Sequence, residues 1–348
     1  MNKNIILYTL LVFVLLLSAC GQTPTPLPTS TEIVLPTLPP TTTSTPTLVP
    51  TPTSTAEPVW YQQLDLSYSE LKYRYGLVRD PRAKIYVSLE DAVAGNGNYG
   101  SLQSTPAYIV INGEQTRDGK IYYANLLGWI SATDIQLVAP STFRGILLTK
   151  AVDFRFAWVL DETHSVNAAG TPLRTYSRYE VVHEVQPVTE NPGYFAIGPD
   201  EWLPLNSLAI TSPQVPPDAG LGVCRFIYVD LTTQTLRVYD NCKLVFATLV
   251  STGQNPIWTY AGRFFIQYKV EYKELLPPSY STSEYYLQGV PFFMGYSGDW
   301  GIHGVYWHDD FGRPVSHGCV NLSPADAKWM YAWTHEGENV ILVRPDTP

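Results

Sequence analysis

Gly301-Ile302-His303-Gly304, followed by Ser316-His317-Gly318-Cys319-Val320-Asn321, sets an imidazole and a thiol sixteen residues apart near the C-terminus. The segment is flanked by glycines and reads as rich in turns. A thiol attacks only as its thiolate, which is a small fraction of a free cysteine at neutral pH. A neighbouring histidine can take the proton and hold an imidazolium–thiolate pair, so the two side chains are the minimum for acyl transfer. Gly318 fits such a site, because close backbone approach to a substrate carbonyl leaves no room for a Cβ.

Immediately upstream the pattern is that of strands. Residues 225–230, 235–239 and 244–250 alternate apolar and polar positions across short turns, and strand-like stretches continue at 262–270 and 285–293. Ser323-Pro324-Ala325-Asp326 reads as an N-cap with proline at the first helical position. Ala325, Trp329 and Trp333 recur at helical spacing, which predicts one short helix behind the cysteine motif. A last strand over 339–343 closes a mainly β domain spanning residues 221–346. With a turn at Leu231 to Gln234, residue 227 faces residue 238, which brings Cys224 opposite Cys242. Those two are disulfide candidates, and their pairing leaves Cys319 as a free thiol.

Further out, the chain repeats a pattern. Tyr108 is followed 21 residues later by Trp129-Ile130-Ser131, and Tyr179 is followed 23 residues later by Trp202-Leu203-Pro204. Period-2 runs broken by Gly, Asn and Pro predict two small β-barrels, over residues 59–140 and 141–212, and a proline-rich hinge over 213–220. The layout resembles bacterial SH3-like modules, a resemblance that implies wall binding or substrate positioning. His164 and His183 fall in turn or strand contexts and read as structural or exposed, and His335 as a surface residue.

The N-terminus reads as a targeting segment over residues 1–19. Lys3 precedes an apolar run over residues 5–17, and Leu17-Ser18-Ala19-Cys20 resembles a bacterial lipobox, which implies cleavage before Cys20 and its lipidation. The run is short of the roughly 20 residues a membrane span needs. Residues 20–58 are almost wholly Thr, Pro and Ser, a composition that stays disordered and extends on the order of 100 Å. The expected protein is therefore anchored to a membrane through Cys20, extracytoplasmic, and faces a cell wall. A net charge of −9 with only 15% charged residues excludes the basic stripe of a nucleic-acid binder and any polybasic membrane patch. The 24 Tyr and 9 Trp suit β-sheet cores.

Taken together, Val250-Ser251-Thr252-Gly253, Gly301-Ile302-His303-Gly304 and Ser316-His317-Gly318-Cys319-Val320-Asn321 resemble the YkuD-type L,D-transpeptidase family, over about residues 222–345. The resemblance implies a β-sandwich catalytic domain after the two SH3-like barrels. It implies Cys319 as nucleophile, His303 as its base and the Gly304 carbonyl as the group that orients the imidazole. Backbone N–H groups of Gly318 and Cys319, with His317 beside them, would hold the oxyanion; Ser316 and Asn321 would support the loop. The implied substrate is the tetrapeptide stem of peptidoglycan. Its terminal D-residue leaves, a thioester forms, and an amine on a neighbouring stem resolves it into a cross-link. Water as acceptor gives an L,D-carboxypeptidase instead, and a catalytically silent wall-binding lipoprotein is a third reading. No cofactor is implied, and carbapenems are candidate inhibitors. The chain departs from the family at Thr259-Tyr260-Ala261-Gly262, where Thr-Pro-x-Gly is usual, which alters a turn near the site. His303, His308, His317 and Cys319 are residue types that suit zinc, but their spacing fits no common ligand pattern, and no metal is expected.

Overall fold

The computed structural model of the chain describes residues 59–216, 224–277, 284–337 and 340–344. The targeting segment, Cys20, the linker and part of the hinge lie outside these residues.

The hairpin that opens the C-terminal domain sets its register. Asp230 caps the turn by accepting from the N–H groups of Thr232 and Thr233 at 2.8 and 2.9 Å. Strands Phe226–Asp230 and Thr235–Asp240 then pair antiparallel with Ile227 opposite Val238. That register carries Cys242 back to Cys224, and the two are joined by a disulfide. From this hairpin a seven-stranded sheet grows in both directions. Its order is Tyr61–Gln63, Ile146–Leu148, Lys243–Leu249, Thr235–Asp240, Phe226–Asp230, Val340–Arg344, Gly262–Phe265.

A second sheet runs Val320–Leu322, Trp300–Gly304, Tyr286–Ser297, Ala107–Ile111, Arg74–Val78, Ile135–Val138, with Tyr268–Leu275 also paired to Tyr286–Ser297. Between the sheets Ile227, Val229, Leu236 and Phe246 meet Met294, Ile302, Val320 and Leu322, all buried. Helix Pro324–Trp333 lays Ala327 and Met330 on the same core. Its start is fixed by Ser323, whose Oγ accepts from the Asp326 N–H at 3.2 Å.

The segments over 59–212 depart from the expected barrels in two ways. Neither closes; each is a three-stranded and a five-stranded arrangement of the same order. In the first, Arg74–Val78 lies between Ala107–Ile111 and Ile135–Val138, and the five-stranded sheet runs Asn98–Gly100, Ile85–Tyr86, Gly128–Ser131, Lys120–Asn125, Gly113–Arg117. In the second, Phe156–Val159 lies between Val181–His183 and Leu208–Thr211, and the five run Pro172–Tyr176, Thr163–Val166, Glu201–Pro204, Tyr194–Gly198, Gln186–Pro187.

The second departure is that both modules are stitched into the C-terminal domain. Ala107–Ile111 pairs parallel with Tyr286–Ser297, and the short strands Tyr61–Gln63 and Ile146–Leu148 extend the hairpin sheet. Gly145 permits this approach: a Cβ there would sit 2.7 Å from the Ala247 carbonyl oxygen and from the Phe246 ring. Trp60, Phe143, Phe156 and Trp158 accordingly share one core with Phe226, Tyr228 and Tyr239 of the C-terminal domain.

A further helix, Leu89–Ala94, accompanies the C-terminal one. Ser88 Oγ accepts from the Asp91 N–H at 3.0 Å, and Gly95 ends the helix in the left-handed region. Ser88, Asp91 and Gly95 are capping signals already present in the sequence.

Candidate active site

His303 lies on strand Trp300–Gly304, which pairs parallel with Val320–Leu322, Ile302 facing Val320 and His303 facing Asn321. The segment expected to be turn-rich is thus a pair of strands, with the turns confined to the connection between them. Cys319 immediately precedes the second of these strands, and Cys319 and His303 line one cleft.

The imidazole is buried at 1% exposure, and its Nδ1 lies 3.1 Å from the Gly304 carbonyl oxygen. A carbonyl only accepts, so Nδ1 carries the proton and Nε2 is left with its lone pair. Phe293 stacks on the ring, with centroids 5.5 Å apart and planes 10° apart. Burial pulls the His303 pKa down to about 4, against the Gly304 hydrogen bond that favours the charged ring. A Cβ at Gly304 would be tight, 3.0 Å from the Pro291 ring and 3.1 Å from Ala327, so either neighbour would have to give by a few tenths of an ångström.

Cys319 is free and half-buried, its thiol 3.9 Å from the Asp299 carbonyl oxygen. Burial pushes the thiol up to about 11, opposed by the Gly301 N–H and the Lys273 ammonium. Burial thus favours the neutral form of each partner, thiol and imidazole alike.

The loop before Cys319 is held from three sides. Ser316 Oγ donates to the Cys319 carbonyl at 2.6 Å and accepts from the Gly318 N–H at 3.1 Å. The Gly318 N–H expected to hold an oxyanion is therefore engaged within the loop. Gly318 has φ +110°, and a Cβ on it would lie 2.8 Å from Trp300 Nε1. Thr259 Oγ1 donates to the Gly318 carbonyl and accepts from the Gly253 N–H, both at 2.8 Å. Thr259 belongs to the segment that departs from the family pattern, where only an altered turn was expected.

Asn321 does more than support a loop. Its amide lies 3.0 Å from His308 Nε2, while His308 Nδ1 accepts from the Asp310 N–H at 3.1 Å. The Asn321 atom there is Nδ2, and a neutral ring that accepts at Nδ1 would need the amide turned over to bring its oxygen to Nε2. Burial lowers the His308 pKa to about 4. His317 is exposed, with its ring 5.1 Å from that of Tyr285 and its pKa lowered by desolvation. Among the described residues no three His, Cys, Asp or Glu side chains gather as a metal site.

Cys319, His303 and His317 line a cleft of about 620 Å³ together with Lys273, and with Thr105 and Pro106 of the first module. His183 packs on Trp60 and Phe154, remote from this cleft in its contacts.

A β-sandwich with a free thiol and a buried imidazole lining one cleft suits an acyltransferase-type enzyme. Residues 225–342 match the YkuD family model, the L,D-transpeptidase catalytic domain. Among solved structures, an Enterococcus faecium L,D-transpeptidase mutant is 25% identical over 38% of this chain and 54% of that one, with TM-score 0.33. The catalytic domain of an E. faecium L,D-transpeptidase is 27% identical over 36% of this chain and 99% of that one, with TM-score 0.32. A Mycobacterium smegmatis L,D-transpeptidase is 19% identical over 59% of this chain and 92% of that one, with TM-score 0.32. No curated protein sequence matches the chain.

Proposed function

We propose that the protein is a cysteine-dependent L,D-transpeptidase acting on peptidoglycan tetrapeptide stems. The observation that carries this reading is that Cys319 and His303 line one cleft, with His303 Nδ1–H tied to Gly304 and Nε2 left to take a proton. The Cys319 proton passes to Nε2 as the sulfur attacks the carbonyl before the terminal D-residue. Since burial favours the neutral pair, this transfer accompanies formation of the C–S bond. With Gly318 engaged by Ser316, the Cys319 N–H and His317 are the groups left to hold the oxyanion. On collapse the C–N bond breaks, His303 returns its proton to the leaving amine, and a thioester remains. An amine of a second stem attacks the thioester, forms the amide cross-link and restores the thiol.

The same reading places the enzyme outside the cytoplasm, anchored by lipid at Cys20 and held at wall distance by residues 20–58. The SH3-like modules would position the wall strand against the cleft that Thr105 and Pro106 help to line.

Incubation with a tetrapeptide-stem muropeptide, read by mass spectrometry, tests the reaction. Cross-linked dimer with loss of the D-residue is expected. Tripeptide alone would make the enzyme a carboxypeptidase, no turnover would leave a silent wall-binding protein, and undiminished turnover by Cys319→Ala would remove the thiol from the mechanism. For the anchor, a Cys20→Ser protein should leave the detergent phase; one that stays there would refute lipidation at Cys20.

A further inference from the structure

Lys273, on strand Tyr268–Leu275, is the one Lys or Arg among the described residues lining the cleft. Its ammonium donates to Tyr268 Oη at 2.7 Å and sits 4.0 Å from the centroid of Phe293, the ring stacked on His303. One of its three N–H donors is thereby used. Among the described residues no carboxylate pairs with it, although Glu274, Glu284, Asp299 and Asp310 line the same cleft. Glu274 accepts from Tyr286 Oη at 2.6 Å, and Asp310 lies 3.7 Å from the Arg178 guanidinium.

A cation in such a place has a chemical consequence. His303 and His308 are held toward the neutral form by burial and His317 by desolvation, so Lys273 is the one cation among the described side chains lining the cleft that an anionic ligand group could meet. The ammonium is also near enough to the reacting pair to favour the thiolate of Cys319 and disfavour the imidazolium of His303. In a peptide cleaved at its last bond, the terminal carboxylate carbon lies about 3–4 Å from the carbonyl carbon under attack, by ordinary bond lengths. It is the carboxylate closest to the thiol.

We propose that Lys273 determines specificity by binding the terminal carboxylate of the acyl donor, an inference that rests on the transpeptidase reading above. The two remaining N–H donors make charge-assisted hydrogen bonds to that carboxylate, which confines cleavage to the last residue of a stem. Phe293 and Tyr268 hold the ammonium in place. Gly295 makes room for the Tyr268 ring, which a Cβ would meet at 2.3 Å.

The test uses the full chain and two donors, a tetrapeptide stem with a free C-terminal carboxylate and the same stem as its C-terminal amide. The wild type should favour the acid in kcat/KM by about 10- to 100-fold, the range of a charge-assisted hydrogen bond. Lys273→Met keeps the aliphatic contact with Phe293 and should bring that ratio to about 1, chiefly through a higher KM for the acid. Lys273→Arg should keep most of the preference. An unchanged ratio in Lys273→Met, or an equal loss on both donors, would overturn the proposal in favour of a prop for Phe293 and His303. Turnover of the amide and acid at equal rates by the wild type would overturn it while leaving the transpeptidase reading intact. Turnover of neither would remove that reading, and this inference with it.

Discussion

At Cys319 the burial that shapes the cleft also holds the thiol protonated, so reactivity in the free enzyme should track the thiolate fraction. Alkylation by iodoacetamide, followed by peptide mapping at Cys319, should rise about tenfold per pH unit through neutral pH and level off near pH 11. A plateau already reached at pH 8 would reveal a preformed ion pair instead. Gly318 is the second residue on which the site turns. Gly318→Ala adds backbone strain of about 1–3 kcal/mol and drives a methyl into Trp300, so turnover should fall more than the melting temperature. Thr259→Val removes both the donor to Gly318 and the acceptor for Gly253; the expected outcome is a slower acylation step with the fold retained. Of these residues, Cys319, His303 and Gly318 are visible in the sequence because their chemistry lies in one short motif. Thr259 and Lys273 are not, because each reaches the site across the fold, Thr259 through a contact with a residue 59 positions away.

At the scale of elements, helix Pro324–Trp333 carries a buried carboxyl at its start. Asp326 Oδ1 accepts from the Gly145 N–H at 2.7 Å, and Thr248 Oγ1 lies against its other oxygen. Burial nevertheless raises its pKa to about 7, outweighing these hydrogen bonds. A carboxyl with a folded pKa above the unfolded value of about 3.9 stabilises the protein most when protonated. The contribution of Asp326 to stability should therefore be level below about pH 4, decline toward pH 7 by on the order of 4 kcal/mol at most, and stay level above. Asp326→Asn keeps an acceptor for the Gly145 N–H without a charge, and sets an amide N–H against the Thr248 hydroxyl, which then accepts where it had donated. Its urea midpoint relative to wild type should rise between pH 5 and pH 8; a constant difference would contradict the burial argument. The helix itself is legible from Ser323, Pro324 and the spacing of Ala325, Trp329 and Trp333. So is the hairpin, where alternation and a four-residue turn suffice to put Cys224 against Cys242. The single strand expected over 262–270 is divided, Gly262–Phe265 going to one sheet and Tyr268–Leu275 to the other, and alternation alone carries no information on which sheet receives a strand.

At the scale of the whole molecule, the C-terminal domain is completed by strands from far up the chain. Ile146–Leu148 covers one side of its first sheet, and Ala107–Ile111 continues the second. Tyr75 stacks on Tyr306 with centroids 3.6 Å apart and donates to the Gly289 carbonyl at 2.8 Å. Residues 224–344 expressed alone would expose the core shared with Trp60, Phe156 and Trp158, and should show no cooperative melting transition. A sharp transition close to that of the full chain would show those contacts to be dispensable. None of these joins can be read from local periodicity, because pairing partners more than a hundred residues apart leave no mark on either segment's pattern. What periodicity does carry is each module's own strands, and the error of expecting closed barrels came from treating every edge as internal to its module.

The two modules share a single strand order, yet their fourth strands have different fates. Ala107–Ile111 is flanked on both sides and almost wholly buried, whereas Val181–His183 pairs on one side only among the described residues. In the first, a substitution in that strand disturbs the module and the second sheet together. In the second the strand reaches beyond its module through side chains instead, Val181 against the core shared with Phe226 and Tyr228 and His183 against Trp60, so a substitution there loosens that core without breaking a ladder of the C-terminal domain.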